Sequence, residues 1–162
     1  KNYFLIMEYG GNTLYKHVIY FQDLLNSNKI SINEWKLHCK ILFTQMLHIL
    51  YWLHNIKRVC HLDISMENIT IKDFEFKDGK FYNHGQIYFI DYGLSEYFPD
   101  NNNFLCAKFV GKKSYQAPEL VLRNGLFDAR KADIWSLGIT CIEMANGRPP
   151  HSDKAPLQVI FL

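Results

Sequence analysis

His61-Leu62-Asp63-Ile64-Ser65-Met66-Glu67-Asn68 is the stretch of this 162-residue sequence that most limits its possible folds. It is followed at once by Ile69-Thr70-Ile71, a run too short for a helix and rich in residues that favour strands. A second run of this kind, Ile87-Tyr88-Phe89-Ile90, is followed by Asp91-Tyr92-Gly93. The sequence therefore predicts two short strands. Polar side chains that can act in catalysis lie just before the first strand and just after the second.

A third polar cluster, Ala117-Pro118-Glu119, follows further along the chain. Phosphoryl transfer needs a carboxylate that orients an attacking hydroxyl, and oxygen ligands that hold magnesium against the phosphates. Asp63, Asn68 and Asp91 supply groups of these kinds. Each cluster alone is usually an ordinary turn, but the three clusters in this order favour a catalytic site.

The pattern H-x-D-x-x-x-x-N, then D-x-G, then A-P-E resembles the signature of eukaryotic-type protein kinases. The resemblance implies that Asp63 is the catalytic base, that Asn68 and Asp91 bind Mg²⁺, and that ATP is the phosphate donor. It also implies that residues 91–119 form the activation segment. By the same resemblance, His61 is a packing residue rather than a proton carrier.

The resemblance extends over nearly the whole chain. Residues 132–138, Ala-Asp-Ile-Trp-Ser-Leu-Gly, are similar to the central buried helix of the family, in which Asp133 bonds the catalytic-loop backbone. Residues 139–150 are most similar to Ste20-type serine/threonine kinases. We therefore expect residues 1–162 to be a protein kinase domain fragment, the C-terminal lobe only, with a mainly α fold and a small β element.

The apolar run Tyr3-Phe4-Leu5-Ile6-Met7 predicts a strand that leads into a connector similar to the gatekeeper and hinge of the family. The resemblance implies that this connector holds the nucleotide. The predicted nucleotide-binding residues are Met7, Glu8, Tyr9, Gly10 and Thr70. The sequence contains no glycine-rich phosphate loop and no strand lysine, so we expect the small lobe to lie upstream and this fragment alone to be inactive.

Two positions depart from the family pattern in a correlated way. Leu62 stands where an arginine usually pairs with a phosphate on the activation segment, and Lys108 stands where the phosphorylated threonine usually lies. No serine or threonine occurs between Ser95 and Ser114. We therefore expect an activation segment that is ordered without phosphorylation.

A second pair of departures concerns the γ-phosphate. Ser65 occupies the place of a lysine that contacts this phosphate, and Lys112 occupies the place of a threonine that bonds the catalytic aspartate. Because a lysine ammonium on a flexible stem can reach a phosphate from a neighbouring loop, we predict that Lys112 is a catalytic residue that replaces the missing contact. An ordinary exposed loop lysine is the alternative.

The catalytic and A-P-E motifs also resemble those of the divergent FIKK kinases of apicomplexan parasites.

The main hypothesis is a serine/threonine kinase that acts on a protein substrate. Gly111 and the loop up to Tyr115 are similar to the serine/threonine pattern, and tyrosine specificity is a third possibility. The rival hypothesis is a pseudokinase scaffold that binds partners without phosphoryl transfer. Leu62, Ser65 and Tyr92 favour the scaffold, whereas the intact catalytic aspartate and metal ligands favour the enzyme.

Bulk composition argues against several other classes of function. The net charge of +2 gives no field that indicates nucleic acid or membrane binding. The four cysteines form no C-x-x-C pair, which favours reduced thiols in a cytoplasmic protein over a zinc knuckle or a disulfide framework. No run of about 18 uncharged apolar residues occurs, so we expect no transmembrane segment.

Local patterns predict the remaining elements. Apolar spacing predicts a short helix over residues 13–25, and Ser31-Ile32-Asn33-Glu34 has the form of a capping box before a long helix that ends near Asn55. Residues 74–81 surround an Asp-Gly pair and predict a surface excursion between the two strands. Residues 131–146 predict a deeply buried helix that is closed by a glycine.

Overall fold

The structure is a computed structural model that describes residues 7–99, 103–122, 125–148 and 150. The predicted opening strand lies outside the described residues except for Met7, which is in a connector without regular structure. The fold is mainly helical, as predicted, and its largest β element is one long hairpin. Among the described residues, no helix is both long enough and apolar enough to cross a bilayer.

Two helices form the first half of the chain. A two-residue strand, β1 (Asn12–Thr13), leads into α1 (Leu14–Asn26), which confirms the predicted short helix. The long helix is α2 (Ile32–Trp52), and a π-helical turn (Leu53–Lys57) continues it slightly beyond the predicted end. Apolar residues recur on one face of each helix, so both bury a stripe against the core.

The predicted capping box is made only in part. The Ser31 hydroxyl accepts a hydrogen bond from the Glu34 backbone N–H at 3.1 Å, as the motif requires. The Glu34 carboxylate bonds instead to the backbone N–H of Phe81, at 2.9 Å, which lies far away in the sequence. The side chain that would complete the cap therefore joins α2 to the hairpin.

The hairpin consists of β3 (Ile69–Lys77) and β4 (Lys80–Phe89), which pair antiparallel. Asp78 and Gly79 form its turn with φ values of 51° and 78°, as a tight Asp-Gly turn requires. β1 pairs with the other edge of β3. The prediction of two short strands and a separate surface excursion was wrong, because the excursion continues both strands and packs its phenylalanines on the core.

One large apolar cluster, here the helix–hairpin cluster, joins α1, α2 and the hairpin. Its buried members are Leu14, Val18, Phe21, Ile30, Trp35, Cys39, Leu42, Met46, Leu50, Leu53, Ile64, Met66, Ile69, Ile71, Ile87, Phe89, Leu137 and Met144. Phe21 lies at its centre, stacked on Trp35 at 5.4 Å and in edge contact with Phe76 at 5.0 Å. This packing explains why the hairpin tip is attached to the core.

Three histidines form a hydrogen-bonded chain inside this cluster. His17 Nε2 lies 2.8 Å from His38 Nε2, and His38 Nδ1 lies 2.8 Å from His84 Nδ1. Each neutral imidazole offers one donor and one acceptor, so three neutral rings satisfy the chain. Burial lowers the pKa of His17 to about 4 and that of His38 to about 2, which keeps both rings uncharged.

Short elements lie on either side of the hairpin, one before it and the others between it and the last described helix. These are β2 (Val59–Cys60), β5 (Glu96–Tyr97), β6 (Leu105–Cys106), α3 (Pro118–Leu122) and β7 (Phe127–Asp128), with 3₁₀ turns at Tyr92–Leu94 and Lys113–Tyr115. β2 pairs with β5, and β6 pairs with β7. They enclose a smaller apolar group, here the segment cluster, of Cys60, Leu62, Phe98, Phe104, Cys106, Ala117, Leu120, Phe127, Ala129 and Ala132.

The last described helix is α4 (Ala129–Asn146), close to the predicted bounds, and Gly147 closes it in the left-handed conformation. The prediction of deep burial was wrong for one face. Ile134, Trp135 and Ile142 are 58%, 38% and 43% exposed. Within the described residues, α4 packs on α1 and α2 through its other face, so these three side chains face solvent.

Candidate active site

A buried carboxylate organises the loop that contains the first motif. Asp133, at the start of α4, accepts hydrogen bonds from the backbone N–H groups of His61 at 2.8 Å and Leu62 at 2.7 Å, and from His54 Nε2 at 2.8 Å. The Cys60 thiol lies in the same group. Since Asp133 already accepts three hydrogen bonds, we regard this buried group as structural support for the loop.

Asp63 and Asn68 are brought into direct contact. The Asn68 side-chain N–H group donates to the Asp63 carboxylate at 2.7 Å and to the Asp63 backbone carbonyl at 2.9 Å. Asn68 is buried, whereas Asp63 is half-buried. The amide therefore fixes the carboxylate orientation, and its own oxygen is left available for another ligand.

A second donor reaches Asp63 from the activation segment. The Lys112 backbone N–H donates to the other Asp63 carboxylate oxygen at 3.2 Å. Gly111 makes this approach possible, because its φ is +91° and an added Cβ would lie 2.7 Å from the Leu62 carbonyl oxygen. One carboxylate is thus held by donors from two parts of the chain.

Asp91 is linked to this loop by the backbone hydrogen bonds of its neighbour Ile90. The Ile90 N–H donates to the Asn68 carbonyl at 2.9 Å, and His61 Nε2 donates to the Ile90 carbonyl at 3.1 Å. Asp91 itself has a left-handed backbone, its carboxylate accepts from the Gly93 N–H at 3.3 Å, and the residue is exposed. The three residues predicted for catalysis and metal binding therefore lie in neighbouring segments.

The Lys112 ammonium lies beside Ser65. It donates to the Ser65 hydroxyl at 3.4 Å and forms an ion pair with the Glu67 carboxylate. Lys113, the next residue, is exposed. The lysine side chain therefore lies near the position at which the sequence lacks a phosphate-binding lysine, with a carboxylate as its present partner.

Lys108, which follows β6, bonds to the turn after Asp91. Its ammonium donates to the Leu94 carbonyl at 2.9 Å and lies 3.5 Å from the Glu96 carboxylate. The Ser95 hydroxyl in turn donates to the His61 carbonyl at 3.2 Å. A cation thus supports the segment at the position where the resemblance implied a phosphate.

The predicted nucleotide-binding residues fall into two groups. Met7, Glu8 and Tyr9 are exposed, and Glu8 pairs with Lys72 at 3.1 Å. Gly10 covers Thr70, since a Cβ on Gly10 would lie 2.8 Å from the Thr70 hydroxyl oxygen. That hydroxyl is buried and has no hydrogen-bond partner. The connector and the first residues of β3 are thus neighbours, although Thr70 presents no open surface.

The sequence analysis missed one buried pair beneath the activation segment. The Tyr115 hydroxyl donates to the carboxylate of Glu143, which is 5% exposed on α4. Burial raises the pKa of Glu143 and that of Tyr115. Glu143, one of two acidic residues in the mostly apolar stretch 131–146, was the signal that could have indicated a buried partner.

Known proteins are similar to this chain over most of its length. The family model described as "Protein kinase domain" matches residues 1–160. The chain is 33% identical over 162 residues to Serine/threonine-protein kinase dst1 of Dictyostelium discoideum, covering 98% of this chain and 18% of that protein. It is 32% identical over 161 residues to Serine/threonine-protein kinase cst-1 of Caenorhabditis elegans, covering 98% of this chain and 27% of that protein.

A mammalian relative shows the same similarity over a shorter span. Serine/threonine-protein kinase 10 of Mus musculus is 36% identical over 127 residues, covering 75% of this chain and 12% of that protein. The chain therefore spans less than a third of the length of each of these curated relatives.

Proposed function

This chain belongs to the protein kinase family, and we propose that it is the C-terminal lobe of a serine/threonine kinase that transfers the γ-phosphate of ATP to a protein hydroxyl. The observation that carries this proposal is the Asp63 carboxylate, which is held by the Asn68 amide and by the Lys112 backbone N–H. The choice of serine or threonine rests on the names of the relatives.

In this proposal Asp63 is the catalytic base. A substrate hydroxyl approaches the half-buried carboxylate, which orients it and accepts its proton as the oxygen attacks phosphorus. Two N–H donors fix the Asp63 oxygens before the substrate arrives, so little reorganisation is needed. Positioning of this kind is the main contribution that a protein makes to phosphoryl transfer.

The residues present fit a magnesium site. Mg²⁺ prefers oxygen ligands and is usually bound by one or two protein groups together with substrate phosphates. The Asn68 amide donates through its nitrogen to Asp63, which leaves its oxygen as a ligand, and Asp91 offers an exposed carboxylate. When bound, the ion neutralises charge on the phosphates, and Asn68 and Asp91 would hold it.

Lys112 is the proposed γ-phosphate contact. Its ammonium lies beside Ser65 and is paired with Glu67, an exposed residue. A surface ion pair of this kind contributes about 0–1 kcal/mol, so a phosphate that arrives beside Ser65 can compete for the ammonium. The lysine would then stabilise charge on the transferring group.

The connector, residues 7–10, is the proposed nucleotide-binding segment. Met7, Glu8 and Tyr9 are exposed and Gly10 lies against Thr70, so the backbone of the connector can face a nucleotide. Because the hydroxyl of Thr70 is buried beneath Gly10, we assign Thr70 to support of the connector rather than to a direct nucleotide contact.

The experiment that tests this function uses the full-length protein with both lobes. We expect ATP binding that strengthens with Mg²⁺, and transfer of radiolabelled γ-phosphate to serine or threonine of a general protein substrate. Phosphoamino-acid analysis of the product separates serine/threonine from tyrosine specificity. Nucleotide binding that ignores Mg²⁺, together with no labelled product, would support a pseudokinase scaffold instead.

A further inference from the structure

Among the described residues, no second strand pairs with the outer edge of β4, and side chains of α2 bond to it instead. One edge of β4 pairs with β3, while residues 81–87 of the other edge face α2. An uncovered strand edge leaves backbone N–H and C=O groups unpaired, so proteins cover such edges. In this chain two side chains of α2, Glu34 and Gln45, bond to backbone groups of this edge.

Gln45 makes the most complete of these contacts. Its side-chain nitrogen donates to the Gly85 carbonyl at 2.9 Å, and its side-chain oxygen accepts from the Ile87 N–H at 3.0 Å. A residue of a neighbouring parallel strand bonds in the same way to two positions that are two residues apart. The Gln45 amide thus donates to β4 and accepts from β4 as a residue of a neighbouring strand would.

Glu34 and His38 extend the contact toward the hairpin tip. The Glu34 carboxylate accepts from the Phe81 N–H at 2.9 Å, and His38 bonds to His84 at 2.8 Å. Positions 34, 38 and 45 lie on one stripe of α2, because 4 and 11 residues are close to whole turns of an α-helix. The stripe therefore runs along β4.

This stripe is connected to the proposed metal site through the strand itself. β4 ends at Phe89, two residues after the Gln45 contact, and Asp91 follows two residues later. Ile90 is bonded to Asn68 and to His61. The contact between Ile87 and α2 therefore bears on the positions of Asn68 and Asp91, the two proposed metal ligands.

We propose that Gln45 is a positioning residue for the magnesium site, and that it acts through β4 on Asp91. The inference rests on the proposed function, because it needs Asp91 to be a metal ligand. Loss of the amide leaves the Gly85 carbonyl and the Ile87 N–H without their partner and frees the end of β4 to move. Mutation of a group that orients a metal ligand typically lowers the metal affinity by about 10- to 100-fold.

The test compares Gln45→Leu with Gln86→Leu in the full-length protein. Gln86 is exposed on the same strand and is the matched control. For each variant we would measure the Mg²⁺ concentration that gives half-maximal ATP binding, and the hydrogen exchange of residues 87–91. We expect Gln45→Leu to raise the Mg²⁺ requirement about tenfold and to speed exchange at residues 88–91, with no change for Gln86→Leu.

A second variant covers the case in which Gln45→Leu folds poorly. Gln45→Met keeps the length and the helix preference of the side chain and loses both hydrogen bonds, so we expect the same rise in the Mg²⁺ requirement with a smaller loss of stability. A Gln45 variant that lowers stability but leaves the Mg²⁺ requirement and the exchange at residues 88–91 unchanged would overturn the inference alone. Wild-type ATP binding that needs no Mg²⁺ would contradict the proposed function and this inference together.

Discussion

The two apolar clusters of this molecule are built in different ways. The helix–hairpin cluster has eighteen buried members, twelve of them on α1, α2 and the hairpin, whereas the segment cluster has ten members that lie mostly on two-residue strands and in loops. Side-chain bonds to the backbone support the second cluster, as with Lys108 on Leu94 and Ser136 on Tyr115. We therefore expect the helix–hairpin cluster to resist local opening more than the segment cluster does.

The loop with the proposed base lies on the boundary between the clusters. Leu62 belongs to the segment cluster, while Ile64 and Met66 belong to the helix–hairpin cluster. Asp63 lies between these anchors, and Asp133 holds the backbone on the segment side. Burial of alternate residues in different clusters therefore fixes the position of a half-buried carboxylate.

The largest expected effect comes from opening the helix–hairpin cluster. Phe21→Ala removes a fully buried ring whose centroid lies within 5.4 Å of five other aromatic rings, so we expect the free energy of unfolding to fall by about 3–5 kcal/mol in urea denaturation of the full-length protein. Phe104→Ala is the matched change in the segment cluster. We expect it to lower the global free energy of unfolding less, and to speed hydrogen exchange in residues 103–122. Equal global losses would contradict the contrast between the clusters.

The next effect is a pH dependence that is specific to the helix–hairpin cluster. Unfolded histidines bind protons near pH 6.5, whereas burial lowers the pKa of His17 to about 4 and that of His38 to about 2. The unfolded state therefore binds more protons as pH falls below 6.5, and the folded state loses stability. At pH 5 this amounts to about 2 kcal/mol for each histidine.

The measurement is the urea unfolding midpoint at pH 7 and pH 5. We expect the wild type to lose stability over this range and His38→Phe, which removes the central titrating ring, to lose less. His48→Asn changes an exposed histidine and is the control. An unfolding midpoint that rises as pH falls would show that the histidine chain is not the cause. So would a His38→Phe protein whose midpoint changes between pH 7 and pH 5 as much as that of the wild type.

A smaller effect concerns the boundary between the clusters. Lys112→Met removes the ammonium beside Ser65, so we expect turnover to fall about tenfold or more, the loss that accompanies a hydrogen bond to a charged group. Nucleotide affinity changes less, because only interactions that strengthen in the transition state raise the rate. Lys113→Met is the control, and similar steady-state kinetics for the two variants would make Lys112 an ordinary loop lysine.

The smallest expected effect is that of phosphatase treatment. Lys108 already holds the activation segment on Leu94, and residues 96–113 contain no serine or threonine. We expect the rate of active enzyme to remain unchanged after treatment. A large loss of rate, traced by mass spectrometry to a phosphorylated residue in the segment, would contradict a segment that is ordered without phosphate.

The sequence predicted the parts of the fold that depend on local periodicity. Apolar spacing gave the bounds of α1 and α4 closely, and the Asp-Gly pair gave the hairpin turn. The order of the three motifs predicted one site for Asp63, Asn68 and Asp91. The structure brings Asp63 into contact with Asn68 and places Asp91 next to Ile90, which bonds to Asn68, while their roles stay predictions. These signals are local, or they come from a family pattern.

The contacts that local patterns could not predict join residues far apart in the chain. Glu34 fits a capping box by sequence but bonds to Phe81, and Gln45 bonds to β4 forty residues away. The pairing of Lys112 with Glu67 likewise depends on how two loops meet. A sequence period shows which face of an element is buried, and it does not show which distant polar group that face meets.

The most direct test of the account is the turnover of Asp63→Asn in the full-length enzyme. The asparagine keeps the size of the side chain but removes the proton acceptor, so we predict that kcat falls at least about a hundredfold while the affinity for ATP with Mg²⁺ stays near the wild-type value. The unfolding midpoint falls modestly, because the new amide nitrogen loses one of the two hydrogen bonds that the carboxylate accepts. A kcat within about threefold of wild type would contradict the assignment of Asp63 as the base of a phosphoryl-transfer site.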